Sequence, residues 1–491
     1  MKGRDTSMAH DHPPRGECCC CRREFLETVG AAAGGAILLS SGAVAAPAAD
    51  ASPREKRTAT VRAAFLYPPP ESLQRAGYFS WPGSTFDPKG RHKDYAARLR
   101  VIEKRLGIRL ALEEKPIDTP ADAAQFLAGV KQSRPDGLLL IPLQKQHWEH
   151  VMQIVKETAL PTVVLATLGV LLVDHIRQLH RKAGAYLVSS QDNLDAVEYG
   201  LRMIRTARRM KDARIVSIAG SKTAEAVVPH LGTQVRVIPH SRFVAEYKQT
   251  AITPAVKELA EAYRSGAKEI VEPSPADVLE SAKAYFVLKR IAQAEKADAL
   301  MMECLSGLRI PHQHCPPCMG FMSLRDEGFP IGCQADLSST LTLMLVQELF
   351  GKPGFQQNAA MDTERNLYFG SHCTSPSKMN GPDGPAEPYA LRSHAEAGWG
   401  CVPRVLFRKG QEVTLAQYLP GKSPQMYVYT GKVVDCPPIP PTGGCRSNLL
   451  MSVNEVDDVC DVKGMHQIIF YGNHGGALRS FCQLHNIQVV T

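Results

Sequence analysis

Residues 136–166 read DGLLLIPLQKQHWEHVMQIVKETALPTVVLA and contain two apolar runs on either side of an amphipathic stretch. The runs 137–142 and 161–166 show no polar alternation, which is typical of strands buried on both faces. The stretch between them, 147–158, has apolar residues at helical spacing. A strand, a helix and a second strand in this order predict a parallel sheet with a crossover helix.

The same alternation continues on both sides of this segment. Upstream, strands and helices are predicted at 59–67, 95–106, 109–112 and 121–130. Downstream, a second series covers 186–190, 194–210, 214–220, 234–238, 253–265, 276–295, 298–304, 331–333 and 337–350. Beyond Gly351 the strands are short and Gly, Pro, Asn and Asp are frequent. The predicted fold class is α/β, with two doubly wound parallel-sheet domains at 58–184 and 185–350 and a β-rich C-terminal domain at 351–491.

The N-terminal segment has the features of an export signal. In order, it contains Arg22-Arg23, Phe25-Leu26, a small and weakly apolar run over 28–44, and Ala43-Val44-Ala45. An Arg pair before an apolar run and a small-x-small cleavage pattern predict a twin-arginine (Tat) signal peptide at 1–45, followed by a linker at 46–57. We therefore expect the Tat translocase as a partner during export and a periplasmic or extracellular destination. The alternative is an amphipathic helix of the mature fold.

The charge distribution excludes some classes of partner. The net charge is +8, and 1–45 contains five basic and five acidic residues, so the excess belongs to the remaining chain, where it is mild. No Lys/Arg run is interleaved with aromatic residues, and we expect no nucleic-acid binding. The most apolar later segment, 160–173, is short and is interrupted by Pro161 and Gly169, so we expect no stable membrane insertion.

The cysteines are distributed unevenly. Four lie at 18–21, and the other ten lie between Cys304 and Cys482. An oxidising destination permits disulfides, but a chain that folds before export meets the oxidant late. We expect few bridges, and Cys436 with Cys445 is the pair predicted around a Pro/Gly-rich loop.

A second group of reactive side chains lies in His312-Gln313-His314-Cys315-Pro316-Pro317-Cys318. Two histidines beside a Cys-x-x-Cys pair are ligand types that suit zinc or another transition metal. The same pair is also compatible with a redox disulfide. The third interpretation is an irregular loop near a ligand cleft, and the sequence leaves all three open.

Two predicted strands end in residues that can carry chemistry. Glu303 lies near the end of the strand at 298–304, and Gln334-Ala335-Asp336 follows the strand at 331–333. Ligands of parallel sheets bind at the carboxyl ends of the strands. Asp336 also has a structural interpretation, since it directly precedes the helix at 337–350 and suits its N-cap.

Several segments resemble one enzyme superfamily. They are Arg325-Asp326-Glu327-Gly328, Cys333-Gln334-Ala335-Asp336, Leu341–Leu345, Gly370–Pro376 with its His372-Cys373, Gly410–Leu415 and Tyr471–His474. From about Arg325 to the C-terminus the chain is similar to the L-fucose and L-arabinose isomerases. The resemblance implies aldose–ketose isomerisation of a monosaccharide or related small carbohydrate through an enediol. It also implies a divalent cation, usually Mn²⁺, and a homo-oligomer.

This sequence departs from the family pattern at two metal positions. The family's metal-binding Glu and Asp correspond to Gln334 and Asn358, and its C-terminal metal-binding His corresponds to His474. An amide oxygen supplies no charge and is a poor proton acceptor. The resemblance therefore assigns the metal positions to Gln334, Asn358 and His474, with Mn²⁺ binding expected to be weak.

The remaining site predictions follow from the same comparison. Substrate binding is assigned to Gln334, Asn358 and His372, and catalysis to Asp336, Glu303 and His372. A shifted register would instead give the carboxylate roles to Asp336 and Asp362. The function expected is an exported sugar isomerase-like protein, and the alternative is a non-catalytic exported carbohydrate-binding protein on the same fold. A redox or metal-handling protein that uses the 312–318 loop is a third hypothesis.

Overall fold

The chain has a mixed α/β fold. A computed structural model describes residues 54–491 except 70, 73–82 and 84, together with the backbone of Val44–Ala45. Apart from Val44–Ala45, the predicted signal peptide therefore lies outside the described residues, as does most of the linker. Within them, the predicted α/β class with parallel sheets is confirmed. No helix in this part of the chain is long and apolar enough to cross a membrane.

The first sheet has five parallel strands in the order β3-β2-β4-β5-β6. After the two-residue β1 (Val44–Ala45), its strands are β2 (Thr60–Leu66), β3 (Arg109–Leu112), β4 (Gly137–Pro142), β5 (Thr162–Thr167) and β6 (Ala185–Ser190). The helices that accompany it are α1 (Pro88–Leu106), α2 (Pro120–Ser133), α3 (Trp148–Thr158) and α4 (Val173–Leu179). All six residues of β4 are buried, which explains its uninterrupted apolar run.

Helices cover both faces of this sheet. Phe65 shares a hydrophobic core with α1, whereas Leu66 belongs to a second core with α2 and α3. Successive strand residues point to opposite faces, so the two cores lie on opposite sides. The expected domain boundary at 184/185 falls inside the sheet, because β6 pairs with β5 in parallel register.

The second sheet has the strand order β1-β8-β9-β7-β11-β12. Its remaining strands are β7 (Arg214–Ile218), β8 (Ala224–Val227), β9 (Gln234–Ile238), β11 (Ala299–Met302) and β12 (Ile331–Cys333). Its helices are α5 (Leu194–Asp212), α6 (His240–Gln249), α7 (Pro254–Gly266), α8 (Pro275–Ala294), α9 (Cys318–Asp326) and α10 (Leu337–Phe350). Strands β9, β7, β11 and β12 are parallel, and β8 runs antiparallel to β9.

The four parallel strands end together. Ile238, Ile218, Met302 and Cys333 are register neighbours across the sheet. The residues that follow them therefore form one edge, which includes Glu303 after β11 and Gln334 after β12.

The C-terminal part contains a closed antiparallel barrel. Its strands are β13 (Phe355–Asp362), β14 (Leu367–His372), β17 (Glu412–Leu419), β18 (Gln425–Asp435), β19 (Ser447–Val453) and β20 (His466–Tyr471). They follow the order β17-β20-β13-β14-β19-β18, and β18 also pairs with β17, which closes the barrel. Strand β21 (Gln488–Val490) follows α11 (Gly475–Leu484) and pairs with β18. A small separate sheet contains β10 (Glu269–Ile270), β15 (Tyr389–Arg392) and β16 (Val402–Val405).

The predicted Cys436–Cys445 bridge is absent, since all ten cysteines from Cys304 to Cys482 are free thiols. The backbone amide of Phe407 donates to the Cys436 sulfur at 3.2 Å. Cys445 instead packs against a cluster of Cys318 and Cys373, and its thiol lowers the pKa of Cys373 by hydrogen bonding. The two sulfurs therefore have different surroundings.

Candidate functional site

Five polar residues lie on neighbouring elements where the second sheet meets the barrel, at the contact between Cys333 of β12 and Gln356 of β13. Gln334 and Asp336 follow β12, Asn358 lies in β13, His372 ends β14 and His466 begins β20. Asn358 pairs with His466 in one neighbouring strand and with Ser371 in the other. The His372 and His466 rings are 6.0 Å apart. We call these five residues the amide–histidine cluster.

Asp336 has both of the roles that the sequence suggested. One carboxylate oxygen accepts the Ser339 amide at 2.9 Å, which caps α10. The other lies 2.7 Å from Nδ1 of His466. The Ser339 hydroxyl donates to the His466 carbonyl at 2.7 Å. The start of α10 and the start of β20 are thereby fixed against each other.

The Asp336 contact sets the tautomer of His466. An ionised carboxylate only accepts hydrogen bonds, so Nδ1 of His466 carries the proton. In the neutral ring the lone pair is then on Nε2, which has no hydrogen-bond partner among the described residues. A histidine oriented by a carboxylate in this way is suited to proton transfer.

His372 presents the opposite tautomer. The ring is 3% exposed, and its Nδ1 accepts the backbone amide of Cys373 at 3.0 Å. Neutral His372 therefore carries its proton on Nε2. The cluster thus contains two imidazoles of opposite tautomer and two carboxamides.

His474, which the resemblance assigned to the metal, lies elsewhere. Its ring stacks on Phe350 at 4.3 Å and on Phe470 at 5.7 Å. Phe350 is the last residue of the 14-residue α10, about 20 Å from the Asp336 end. Burial, and then the nearby Lys352, lower the pKa of His474. His474 therefore lies apart from Asn358, whose register partner in β20 is His466.

The sequence interpretation missed His466 for a local reason. The resemblance rests on the Tyr471–His474 segment, which assigns the histidine role to His474, and His466 lies in none of the motif segments. One signal was available in the sequence. His466 directly precedes an apolar run, and a residue in that position can face the cleft at the start of the capped helix α10. Strand register, which the sequence does not specify, brings it to Asn358.

The shifted-register alternative is not supported by the geometry. Asp362 ends β13 and hydrogen-bonds Arg365 at 2.7 Å. Four residues separate it from Asn358 along the strand, which corresponds to about 13 Å. Only Asp336 of that alternative pair belongs to the amide–histidine cluster.

Gln334 occupies an unusual backbone conformation. Gln334 and Ala335 both have positive φ, at 56° and 52°, which costs roughly 1 kcal/mol or more for each non-glycine residue. The Ala335 amide donates to the Met302 carbonyl at 3.0 Å, and this bond holds the turn against β11. Strained residues of this kind concentrate at functional sites.

Glu303 lies on the same edge, one strand from Gln334. Its carboxylate accepts the Ser306 amide at 3.3 Å and the Ser306 hydroxyl. It therefore stands beside the amide–histidine cluster without being hydrogen-bonded to it in the described residues.

The donor set does not fit Mn²⁺. Within the described residues, no group of three or more His, Cys, Asp or Glu side chains is arranged to hold a metal ion. The oxygens of Gln334 and Asn358 are neutral, and Asp336 is engaged by His466 and Ser339. Hard divalent cations favour charged oxygen ligands, so no catalytic step is derived through a metal here.

The 312–318 loop does not gather its four reactive side chains. His312 stacks on Trp399 at 4.1 Å, and the Cys315 thiol donates to the Glu280 carbonyl at 3.1 Å. His314 hydrogen-bonds its neighbouring backbone and His240, while Cys318 packs near Cys373. Each side chain therefore has a different partner.

No protein-family model matches this chain, and no curated protein matches it. The geometry of the amide–histidine cluster and the motif resemblance are therefore the observations that bear on function.

Proposed function

We propose that the protein binds a monosaccharide or related small carbohydrate at the amide–histidine cluster and catalyses aldose–ketose isomerisation. The observation that carries this proposal is the Asp336–His466 contact of 2.7 Å beside Gln334 and Asn358. The pair supplies a proton acceptor in a site where the two family carboxylates are replaced by amides.

The chemistry needs a base and donors to oxygen. Nε2 of His466 would take the proton from the carbon next to the carbonyl, and the electrons of that C–H bond would form the double bond of the enediol. The protonated ring would return the proton to the neighbouring carbon while the hydroxyl proton of C2 passes to the oxygen of C1, so the carbonyl moves from C1 to C2 and no oxidant is consumed. The Gln334 and Asn358 amides would donate to the sugar oxygens as negative charge develops, and the resemblance adds His372 to the substrate-binding set.

The wider organisation belongs to the same proposal. The resemblance supports a homo-oligomer and a division into two α/β domains and a β-rich domain, with the first boundary moved beyond β6. The twin-arginine motif supports Tat export to the periplasm or outside the cell.

Hydrogen exchange tests the proposed reaction more sensitively than product formation. The protein is incubated in D₂O with EDTA and, separately, with L-fucose, L-arabinose, D-ribose and D-mannose, and deuterium at C2 is followed by NMR. We expect exchange of at least one sugar in the presence of EDTA. Exchange that appears only after Mn²⁺ is added would contradict the metal-independent mechanism.

A non-catalytic carbohydrate-binding protein is the second candidate. The neutral side chains of Gln334 and Asn358 favour it, because they can bind hydroxyls without promoting proton transfer. Sugar binding by calorimetry without exchange in any of the four sugars would support this candidate. The double variant Gln334→Glu/Asn358→Asp should then gain Mn²⁺ affinity relative to the native protein.

A further inference from the structure

The second sheet has a topological switch point next to the amide–histidine cluster. The chain passes from β7 to β9 on one side and then from β9 to β11 on the other side of β7. In sheets of this kind, the crevice at the carboxyl ends of the strands flanking the reversal is the usual ligand site. Glu303 follows β11, and His240 begins α6 directly after β9. The His240 amide donates to the Gly220 carbonyl at 3.0 Å, which places the start of α6 over the end of β7.

Two histidines contact each other in this crevice. Nε2 of His240 lies 3.2 Å from Nε2 of His314. His314 is 2% exposed, and its Nδ1 lies 2.7 Å from the Cys315 carbonyl, which can only accept. Nδ1 of His314 therefore carries the proton, and its Nε2 accepts from His240.

This chain of hydrogen bonds fixes the free nitrogen of His240. Because Nε2 donates to His314, neutral His240 has its lone pair on Nδ1. That atom makes no hydrogen bond among the described residues, and the side chain is half-buried. An imidazole acceptor is thus left open in the crevice.

The surroundings hold His314 in place. A Cβ at Gly307 would lie 1.9 Å from Nε2 of His314, so the ring needs a glycine there. The ring packs edge-on against Phe243 at 5.1 Å and against Tyr247 at 6.2 Å. Because the His314 ring is fixed on these sides, few orientations of His240 allow it to donate to Nε2 of His314.

The charged groups near the pair are few. Burial lowers the pKa of His240, and the Glu303 carboxylate opposes that change. Burial lowers the pKa of His314 to about 4. On the other elements, the Tyr247 hydroxyl and Lys283 both contact Glu280, so those groups are paired with each other.

We propose that His240 forms a second subsite on the edge that carries Glu303 and Gln334, and that its Nδ1 accepts a ligand hydroxyl. His314 is a positioning residue that sets the tautomer. This inference rests on the proposed carbohydrate binding, and it places His240 at the far end of the same ligand site. The edge from β9 to β12 spans about 14 Å, and the Glu303 carboxylate within it disfavours anions. The ligand class is therefore an uncharged polyhydroxylated chain or ring, not a sugar phosphate.

Binding and ¹⁵N-histidine NMR test the subsite. The four sugars named above and ribose 5-phosphate are titrated into the wild type, His240→Gln and the control His180→Gln, which alters an exposed residue of the first sheet region. We expect His240→Gln to weaken the best sugar about tenfold, the control to leave it unchanged, and ribose 5-phosphate to bind less well than D-ribose. Acidification that protonates Nδ1 of His240 should weaken sugar binding by the wild type more than binding by His240→Gln.

The outcomes separate this inference from the proposed reaction. Binding that is equal in the wild type and His240→Gln, or an unchanged His240 Nδ1 signal when the wild type is saturated with sugar, overturns the subsite and leaves the reaction intact. If a sugar binds in a way that depends on His240 but shows no C2 exchange, the proposed reaction is contradicted and the subsite is supported. Binding of none of the sugars overturns both. The NMR measurement uses the native protein and does not depend on whether a variant folds.

Discussion

At the scale of single residues, Asp336 joins a structural role to a chemical one. It caps α10 and also fixes Nδ1 of His466. Asp336→Asn keeps a good capping side chain, so we expect its free energy of unfolding to change by less than about 1 kcal/mol. Asp336→Ala loses the cap, and its free energy of unfolding should fall by about 1–2 kcal/mol. Urea denaturation measures both. The Asn variant should nevertheless lose C2 exchange, and full exchange in that variant would show that the carboxylate is not needed.

His314 gives a prediction about acid stability. Its pKa is about 4 in the folded protein and 6.5 when unperturbed. A histidine with a depressed folded pKa stabilises the fold fully above 6.5 and loses that contribution as pH falls toward 4. The loss between pH 7 and pH 5 is roughly 2 kcal/mol. Urea unfolding at both pH values should show this decrease, and His314→Gln should show a smaller one. An equal decrease in both proteins would mean that His314 is not buried neutral.

The residues of the site were only partly predictable. Gln334, Asn358, His372 and Asp336 could be named because their motifs are short and local. His466 could not, because its place in the cluster depends on which residue of β20 stands opposite Asn358. A shift of one residue would turn it to the other face of the strand, and no local pattern specifies that register.

At the scale of elements, α10 was the most predictable part of the chain. Its apolar run begins after a capping Asp336 and ends before Gly351, which adopts a left-handed φ of 63°. The predicted and observed bounds are both Leu337–Phe350. The sheet that β6 joins could not be predicted, because β6 looks the same in sequence whichever sheet it joins, and only its pairing with β5 assigns it.

Arg325 of α9 gives a prediction about how elements are joined. Its guanidinium is 1% exposed and donates to the carbonyls of Ile331 and Thr374 at 2.6 and 2.7 Å, and to Gln356 at 3.2 Å. Burial lowers its pKa to about 10, so it stays charged near neutral pH. Arg325→Lys cannot reach all these oxygens, and we expect a loss of about 3–5 kcal/mol in unfolding free energy. The exposed Arg177→Lys is the control, and similar stability of the two variants would contradict this role.

At the scale of the whole molecule, α5 connects the two parallel sheets. Its Leu201 and Ile204 belong to one hydrophobic core that also contains Val163 of the first sheet and Ile215 of the second. A fragment that ends at residue 184 lacks both β6 and this helix. We expect the fragment 54–184 to show no cooperative thermal unfolding by circular dichroism, while the 54–491 chain does. A cooperative transition in the fragment would show that the first sheet folds without them.

The sequence predicted the α/β class from its apolar runs, and it predicted β-rich structure beyond Gly351 from short strands and turn residues. It did not predict the closed barrel. Closure depends on β17 pairing both with β18, the next strand in the chain, and with β20. The pairing with β20 joins strands far apart in the chain, and such a pairing leaves no periodic signal. The amide–histidine cluster lies where that barrel meets the second sheet, so the site could be completed only with the barrel in view.

The most direct test of the account compares two histidines that are eight residues apart. His466→Asn and His474→Asn are assayed for C2 exchange in D₂O with the sugar that the wild type exchanges fastest, after urea unfolding has shown that both are folded. The account predicts at least a hundredfold loss of exchange for His466→Asn, typical of removing a general base, and nearly wild-type exchange for His474→Asn. Loss in His474→Asn with exchange retained in His466→Asn would contradict the assignment of the site.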